Sequence, residues 1–598
     1  MRAMPATPLD VPAPASRNAP CPCGSDKRYK ECHGRLGEGR APSTAGNGTH
    51  PPRAADGATH ARSVALASRE AETLNHRGTL LQGQRRYDEA LACFDGALAL
   101  APDHPGILGN RGNALLDLRR HEEAARCFAR IVELAPDHPW ALGSLYQARM
   151  LCSDWTSIDA LSARIEAAVR RDRAAITPFV HLTLSDSPAD QLRSARIEAG
   201  VHAVPALPPL PRGSRRARGR IRIAYLSADF RQHPSSTLLA HLFETHDRTR
   251  FEVTGLSFGP DTGDPLRRRL ERAFDHFIDV RKRGDAEIAA LIRDRGIDIA
   301  VDLMGYTNGA RPGVLLRRPA PVQVGYLGYP GTSGGAALDY LLADAHAIPP
   351  GEDAHYAERV VRLPDTYVPH DPTQAIGASP TRADAGLPDG AFVFCCFNPN
   401  SKITPATFDV WMRLLARVGG AVLWLLESNA VAQRNLQREA AARGVDPARL
   451  VFAARVAPDV HLARHRLADL FVDTHPFNGH ATAVDALWAG LPVLTFPGST
   501  MAGRTATGLL HAAGLPEQVA RDRAEFESRA LALARTPGAL LKLREKLARQ
   551  LETCPLFDAA RYRVAIEAAY ATMAARSAAG LPPAAFDVAP GGRAAQRA

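Results

Sequence analysis

No apolar run in this chain reaches the ~18 residues that a membrane-crossing helix needs. The first residues, MRAMPATPLDVPAPAS, contain no apolar core of the kind an export leader carries. Neither a spanning helix nor a secretory signal is therefore expected, which argues against membrane receptors, channels and exported proteins. Cysteine is scarce, with nine in 598 residues. Cys21, Cys23 and Cys32 cluster, whereas Cys93, Cys127, Cys152, Cys395, Cys396 and Cys554 are scattered among apolar neighbours, the pattern of reduced core thiols. A cytoplasmic location is the expectation. Three signatures are also missing. Neither α/β stretch carries a GxGxxG after its first strand, which argues against a dinucleotide oxidoreductase, and no GxxxxGK[ST] marks a P-loop nucleotidase. There is no DxD pair, and Asp302 stands alone after its strand, so a metal-chelated diphosphate is not indicated.

What is present is the composition of a soluble globular protein, 45% apolar and 23% charged, in a chain too long for one core. The net charge of +10 is spread along the sequence, with one dense run at 212–222 (RGSRRARGRIR). Pro205, Pro208, Pro209 and Pro211 precede that run, so it reads as a solvated linker rather than a nucleic-acid patch. The basic balance suits an anionic ligand.

Residues 1–17 are Pro/Ala-rich and expected to be disordered. Within 18–36, Cys21, Cys23, Cys32 and His33 supply three thiolates and an imidazole, a full tetrahedral set for structural zinc with no open position. So short a segment cannot bury a core, so metal would have to drive its folding. Its wording resembles the SEC-C motif, a small zinc-binding module. A Gly/Ala/Ser/Pro-rich linker is expected over 37–66.

Residues 67–155 contain a repeat. Arg77-Gly78 recurs as Arg111-Gly112, Phe94 as Phe128, and Ala101-Pro-Asp-His104 as Ala135-Pro-Asp-His138, each 34 residues on. That is the tetratricopeptide period, with a third, incomplete unit (140–151) as cap. Such repeats hold a peptide or protein, or serve as a packing or dimer surface. A helical linker (156–218) follows. Alternating strands and helices then specify a doubly wound domain over 219–372, a linker at 373–388, a second doubly wound domain over 389–576, and a loose tail at 577–598.

The second domain is organised around DTHPFNGHATAVDALWAGLPVLTFP (473–497), a strand, a Pro/Asn/Gly turn, a helix from His480 and another strand. The helix starts directly after a glycine, and its free N–H groups make an anion site to which His480 and Thr482 add donors. Asp485, later on the helix, is placed for sugar hydroxyls.

Six stretches resemble the catalytic region of the O-linked N-acetylglucosamine transferase family, which includes the SPINDLY proteins: YLSADFRQHPSS, DLMGYTNGAR, RPAPVQVGYLGYPGTSG, SKITPATF, VAPDVHLARHRLADLF and NGHATAVDALWAGLPVLTFPG. The resemblance implies a glycosyltransferase B fold, two Rossmann-like domains behind tetratricopeptide repeats, inverting transfer and no catalytic metal. It implies that His233 stands beside the acceptor hydroxyl, as base unless a donor phosphate oxygen takes the proton. Lys402 would stabilise the departing diphosphate, and Ala457, Pro458 and the turn His461–Arg464 would hold the uracil base. His480, Ala481 and Thr482 would cradle the diphosphate, with Asp485 on the ribose and Tyr329, Pro330, Gly331 and Thr332 lining the sugar pocket. Pro399, Asp459 and Ala481 depart from the animal pattern, in which a glutamine, a lysine and a threonine stand. The implied donor is UDP-N-acetylglucosamine and the implied acceptor a protein serine or threonine, with no nucleic acid or membrane partner. GDP-fucose, a non-protein acceptor and a non-catalytic repeat-and-zinc adaptor are the alternatives.

Overall fold

The computed structural model describes residues 55–202, 219–335, 337–591 and 593–596. The expected disordered leader, the candidate zinc ligands Cys21, Cys23, Cys32 and His33, and much of the arginine-rich run lie outside these residues. The chain divides into two compact units, one ending at Ala135 and the other starting at Pro136.

In the first unit, helices Ala55–Gly83, Tyr87–Leu100, Pro105–Asp117 and His121–Leu134 pack as successive antiparallel neighbours. The repeat glycines have a steric reason. A Cβ on Gly78 would lie 2.5 Å from the Phe94 ring, and one on Gly112 would lie 2.7 Å from Phe128. Each repeat thus seats an aromatic ring against bare backbone. The surface repeats as well, with Arg86–Glu89 and Arg120–Glu123 pairing at 2.5 and 2.6 Å. Two expectations are corrected here. The linker expected over 37–66 is already helical from Ala55, and helix Ala141–Leu151, expected to cap the solenoid, belongs to the second unit.

The second unit begins with helices Ala141–Leu151, Ile158–Val169, Pro178–His181 and Pro188–Val201. Seven strands of the first lobe follow: β1 (Ile221–Ser227), β2 (Phe251–Ser257), β3 (His276–Asp279), β4 (Ile299–Asp302), β5 (Val322–Gly325), β6 (Tyr340–Asp344) and β7 (Arg359–Leu363). The second lobe has β8 (Val393–Cys396), β9 (Val422–Leu426), β10 (Leu450–Ala453), β11 (Leu470–Val472) and β12 (Val493–Leu494), and the chain ends with β13 (Phe586–Ala589) and β14 (Arg593–Gln596). The second sheet runs β10-β9-β8-β11-β12, all parallel. The first runs β14-β13-β7-β6-β5-β4-β1-β2-β3, parallel except for β13–β14. Strands buried on both faces explain the continuous apolar runs, such as Ile223 through Leu226 and Val422 through Leu425, all at most 3% exposed.

Two boundaries differ from expectation. The tail expected to be loose forms β13, which pairs with β7, and β14 beyond it. Helix Ala559–Ala578, expected in the second domain, packs on the first lobe. Tyr562 Oη donates to the Tyr367 carbonyl at 2.7 Å, Tyr225 and Tyr570 hydroxyls lie 3.3 Å apart, and buried Glu567 meets His246 at 3.0 Å. The apolar runs of the first lobe read as strands over 221–227, 251–257, 297–303 and 322–327, and to these the structure adds β3, β6 and β7.

Candidate active site

Functional loops of an open parallel sheet leave from the carboxyl ends of its strands, and the candidate residues follow that rule. His233 follows β1, the Tyr329–Thr332 loop follows β5, Lys402 follows β8, Ala457 and Pro458 follow β10, and His480 follows β11.

Lys402 closes a short 3₁₀ turn, Asn400–Lys402, before a helix that Thr404 caps and Pro405 opens. Its Nζ donates to the Asn478 carbonyl at 2.8 Å and stands 3.4 Å from the centroid of the Phe477 ring. Burial drives its pKa down, to about 7, against the opposing influence of Asp473 and Cys396. Asp473, just past β11, is buried and accepts from the Gly479 and Thr474 amides (2.7 and 2.8 Å), the Thr495 hydroxyl (2.8 Å) and Asn398 Nδ2 (3.1 Å). Burial outweighs these bonds and holds its pKa above the usual carboxylate range. Asn398 passes the network on, since its Oδ1 accepts from the Thr482 hydroxyl. Lys402, Asp473, Asn398 and Thr482 thus converge on the N-terminus of helix Ala481–Trp488.

His480 is the residue before that helix. Its Nε2 lies 3.1 Å from the Ala502 carbonyl, and burial together with Lys402 lowers its pKa to about 3, so the ring is neutral and donates. Ala481 opens the helix. Asp485, one turn further, has no hydrogen-bond or ion-pair partner among the described residues, and burial raises its pKa to about 7. A withdrawn carboxylate with nothing to accept from is an open acceptor site. Helix Pro458–Arg464 packs against the same helix, bringing Ala457 and Pro458, both exposed, to its side.

Two predicted residues are engaged internally. The buried Arg464 guanidinium donates to the Ala454 carbonyl and to His461 Nδ1, both at 2.5 Å, and lies 4.6 Å from the Phe397 centroid. It shapes the β10 loop from beneath, while burial and the neighbouring His465 and Arg464 push His461 down to about 2. Thr332 is buried, donating to Glu358 at 2.8 Å and accepting from the Gly334 and Ala357 amides. Glu358 also takes the Ser333 amide at 2.6 Å, so this buried carboxylate fastens the glycine-rich loop. Tyr329 packs in one apolar cluster with Phe477, Leu182 and Ala502, joining the two lobes. A Cβ on Gly331 would meet the Tyr329 ring at 3.0 Å, and Pro330 is buried beside it.

His233 is the N-cap of helix Pro234–Thr245, which packs against helix Ala481–Trp488. Its Nδ1 accepts the Ser235 amide at 3.4 Å and lies 3.7 Å from Asp229 Oδ2. Burial lowers its pKa, with Arg231 assisting and Asp229 opposing. Asp229, Asn398, Asp473, Phe477 and Glu358 are the site residues that sequence reasoning missed. Asp473 alone carried a signal, a carboxylate ending an apolar strand.

Two parallel doubly wound lobes with such a site at their strand ends are the glycosyltransferase B fold. Residues 208–378 and 370–566 match glycosyl transferase family 41, residues 76–139 the tetratricopeptide repeat, and residues 17–35 the SEC-C motif. The chain belongs to glycosyl transferase family 41. It is 34% identical over 452 residues to a probable UDP-N-acetylglucosamine–peptide N-acetylglucosaminyltransferase SEC of Arabidopsis thaliana, covering 72% of this chain and 46% of that one. It is 30% identical over 359 residues to the SPINDLY protein of Solanum lycopersicum, covering 59% and 38%. The chain thus spans less than half the length of these relatives. A mutant O-GlcNAc transferase from Thermobaculum terrenum superposes with a TM-score of 0.72 at 32% identity, covering 86% of this chain and 99% of that one.

Proposed function

We propose that this protein transfers N-acetylglucosamine from UDP-N-acetylglucosamine to serine or threonine hydroxyls of proteins, with inversion and without a catalytic metal. The observation that carries the reading is the Lys402 ammonium set beside the N-terminus of helix Ala481–Trp488, with the unpartnered Asp485 carboxylate one turn along it. The acceptor oxygen attacks the anomeric carbon, and the bond from that carbon to the diphosphate breaks. Lys402 and the backbone amides of the turn from His480 to Thr482 receive the charge that develops on the leaving UDP, while the His480 and Thr482 side chains, donating to the Ala502 carbonyl and to Asn398, hold that turn in place. Ala457 and Pro458 flank the base, Asp485 holds the ribose and Tyr329–Thr332 form the sugar wall. The acceptor proton passes to His233 or to a donor phosphate oxygen. With Nδ1 turned to Ser235 and Asp229, Nε2 is the nitrogen left for the acceptor. It serves as base in the tautomer that keeps its proton on Nδ1 and donates it to Asp229 in place of the Ser235 contact.

A thermal-shift panel of UDP, UDP-N-acetylglucosamine, GDP and GDP-fucose without added metal tests the donor, since ligand binding raises Tm with the logarithm of its concentration over Kd. Stabilisation by the uridine pair alone is the expected result, and stabilisation by neither pair would overturn the reading. One observation favours a second donor class. The exposed Asp459 carboxylate beside Pro458 has no side-chain partner among the described residues and would accept from the N–H groups of a guanine edge. A shift with the guanosine pair alone would select GDP-fucose.

The repeats supply a surface for the protein acceptor. Cys21, Cys23, Cys32 and His33, three thiolates and an imidazole, would hold one structural zinc, and metal analysis finding none in protein purified without chelator would remove it. Six described cysteines are free thiols, five of them buried, which supports a reducing compartment such as the cytoplasm. Among the described residues no helix is long and apolar enough to cross a membrane.

A further inference from the structure

Phe477 is the residue about which the candidate site turns. Its ring faces the Lys402 ammonium at 3.4 Å, meets the His480 ring edge-to-face at 5.0 Å and the Phe179 ring at 6.2 Å, and shares a core with Tyr329, Leu182 and Ala502. It is 4% exposed. Its backbone is pinned on both sides, because the Phe477 carbonyl accepts the Thr474 hydroxyl at 2.7 Å and the Asn478 amide donates to Ala502 at 3.1 Å. The ring therefore has one pose, supported from both lobes and from the helices before them.

We propose that Phe477 is the positioning residue for Lys402, a π-face seat that holds the ammonium charged and aimed at the leaving diphosphate. The cation has one hydrogen-bond acceptor, the Asn478 carbonyl, and the quadrupole of a desolvated aromatic face supplies a second favourable contact. The titratable groups facing Lys402 are Asp473, Cys396 and His480, and Nζ donates its hydrogen bond to none of them. The seat also ties turnover to lobe packing, since Tyr329 of the first lobe braces the ring. The inference rests on the transferase reading for its kinetic consequence, but the seat itself is measurable without turnover.

The chain has six lysines, so protein labelled with ¹³Cε-lysine gives few signals, and Lys402→Met identifies the one of interest. In the intact chain, Phe477→Leu keeps the position apolar and removes the ring, and its Lys402 should titrate about one pH unit lower than in the unaltered protein. Phe477→Tyr restores the face and should titrate as the unaltered protein does. In the transferase assay kcat should fall about tenfold in Phe477→Leu with donor KM changed less than twofold, and Phe477→Tyr should recover it. An unmoved Lys402 titration in Phe477→Leu, or a tyrosine variant as impaired as the leucine one, overturns the proposal. Should the leucine variant not fold, Phe477→Met carries the same test. A shifted titration in a protein with no transfer activity would leave the seat standing and sink the proposed reaction instead.

Discussion

In the proposed transfer Lys402 combines two properties that oppose each other: it would have to be charged to meet the diphosphate, yet burial has brought its pKa down to about 7. A depressed lysine binds fewer protons in the folded than in the unfolded chain, so this group makes stability rise with pH from about 7 towards the ordinary lysine pKa of ~10.4. For activity the sign is the reverse. The pH profile of kcat/KM, which reports the free enzyme, should fall on the alkaline side from near pH 7, whereas that of kcat should extend higher because bound diphosphate holds the proton. Coincident limbs would remove Lys402 as the leaving-group cation. Lys402→Met should cut kcat at least 100-fold with donor KM nearly unchanged, since it removes charge stabilisation concentrated in the transition state. Asp485→Asn should act in the other parameter, raising donor KM about tenfold through a weakened hydrogen bond to a charged acceptor. That Lys402, His480, Thr482 and Asp485 share one place was legible, because strand ends and a helix start fix their positions. Asp473, Asn398 and Phe477 were not, since burial and ring geometry depend on segments that meet only on folding.

At the scale of elements, the helices before the first lobe are fastened to the second by side-chain amides. Asn400 Nδ2 reaches the carbonyls of Met150 and Leu151 at 3.2 and 2.8 Å and Ser153 Oγ at 3.2 Å. Asn429 also reaches Leu151 and Asn435 reaches Cys152, both at 2.9 Å. These carbonyls end helix Ala141–Leu151, where the last turn leaves acceptors for groups from outside it. At the other side, Asp186 accepts the Ser499 and Thr500 amides at 2.8 and 3.3 Å, ahead of helix Met501–Ala512. Asn400 stands two residues before Lys402, so this clamp steadies the turn that carries the lysine. Asn400→Ala should cost about 1–3 kcal/mol by orphaning buried carbonyls, read as a lower Tm by calorimetry. An unchanged Tm would show that water replaces the amide at no cost. No local pattern announces an asparagine that caps a helix about 250 positions away. The repeat glycines, by contrast, were visible at once, because the same packing problem recurs every 34 residues.

At the scale of the molecule, the chain leaves the second lobe and returns to the first. Alternation of strand and helix made the two-lobed architecture readable, since buried parallel strands and their helices differ in period and composition. The return was not readable: helix Ala559–Ala578 looks like any other last helix until its tyrosines are seen to meet Tyr225, Tyr326 and Tyr367. The two ends of this return differ in what they hold. Beyond Ala578 the chain contributes β13, whose Phe586 is 2% exposed and packs on Tyr340. The helix itself contributes Glu567, which takes the His246 ring and the Asp247 amide at 3.0 and 2.8 Å in a site 1% exposed. Ending the chain at Ala578 should lower Tm by several degrees, the loss of one buried aromatic being worth about 3 kcal/mol. The nucleotide-induced shift should persist, because the residues proposed to hold the nucleotide sit on the second lobe. Ending it at Cys554 strips the helix as well and leaves three tyrosines and His246 of the first lobe uncovered, so soluble protein should not be recovered. A chain ending at Cys554 that stayed soluble, melted cooperatively and still shifted with UDP would mean that the first lobe folds without its returning helix.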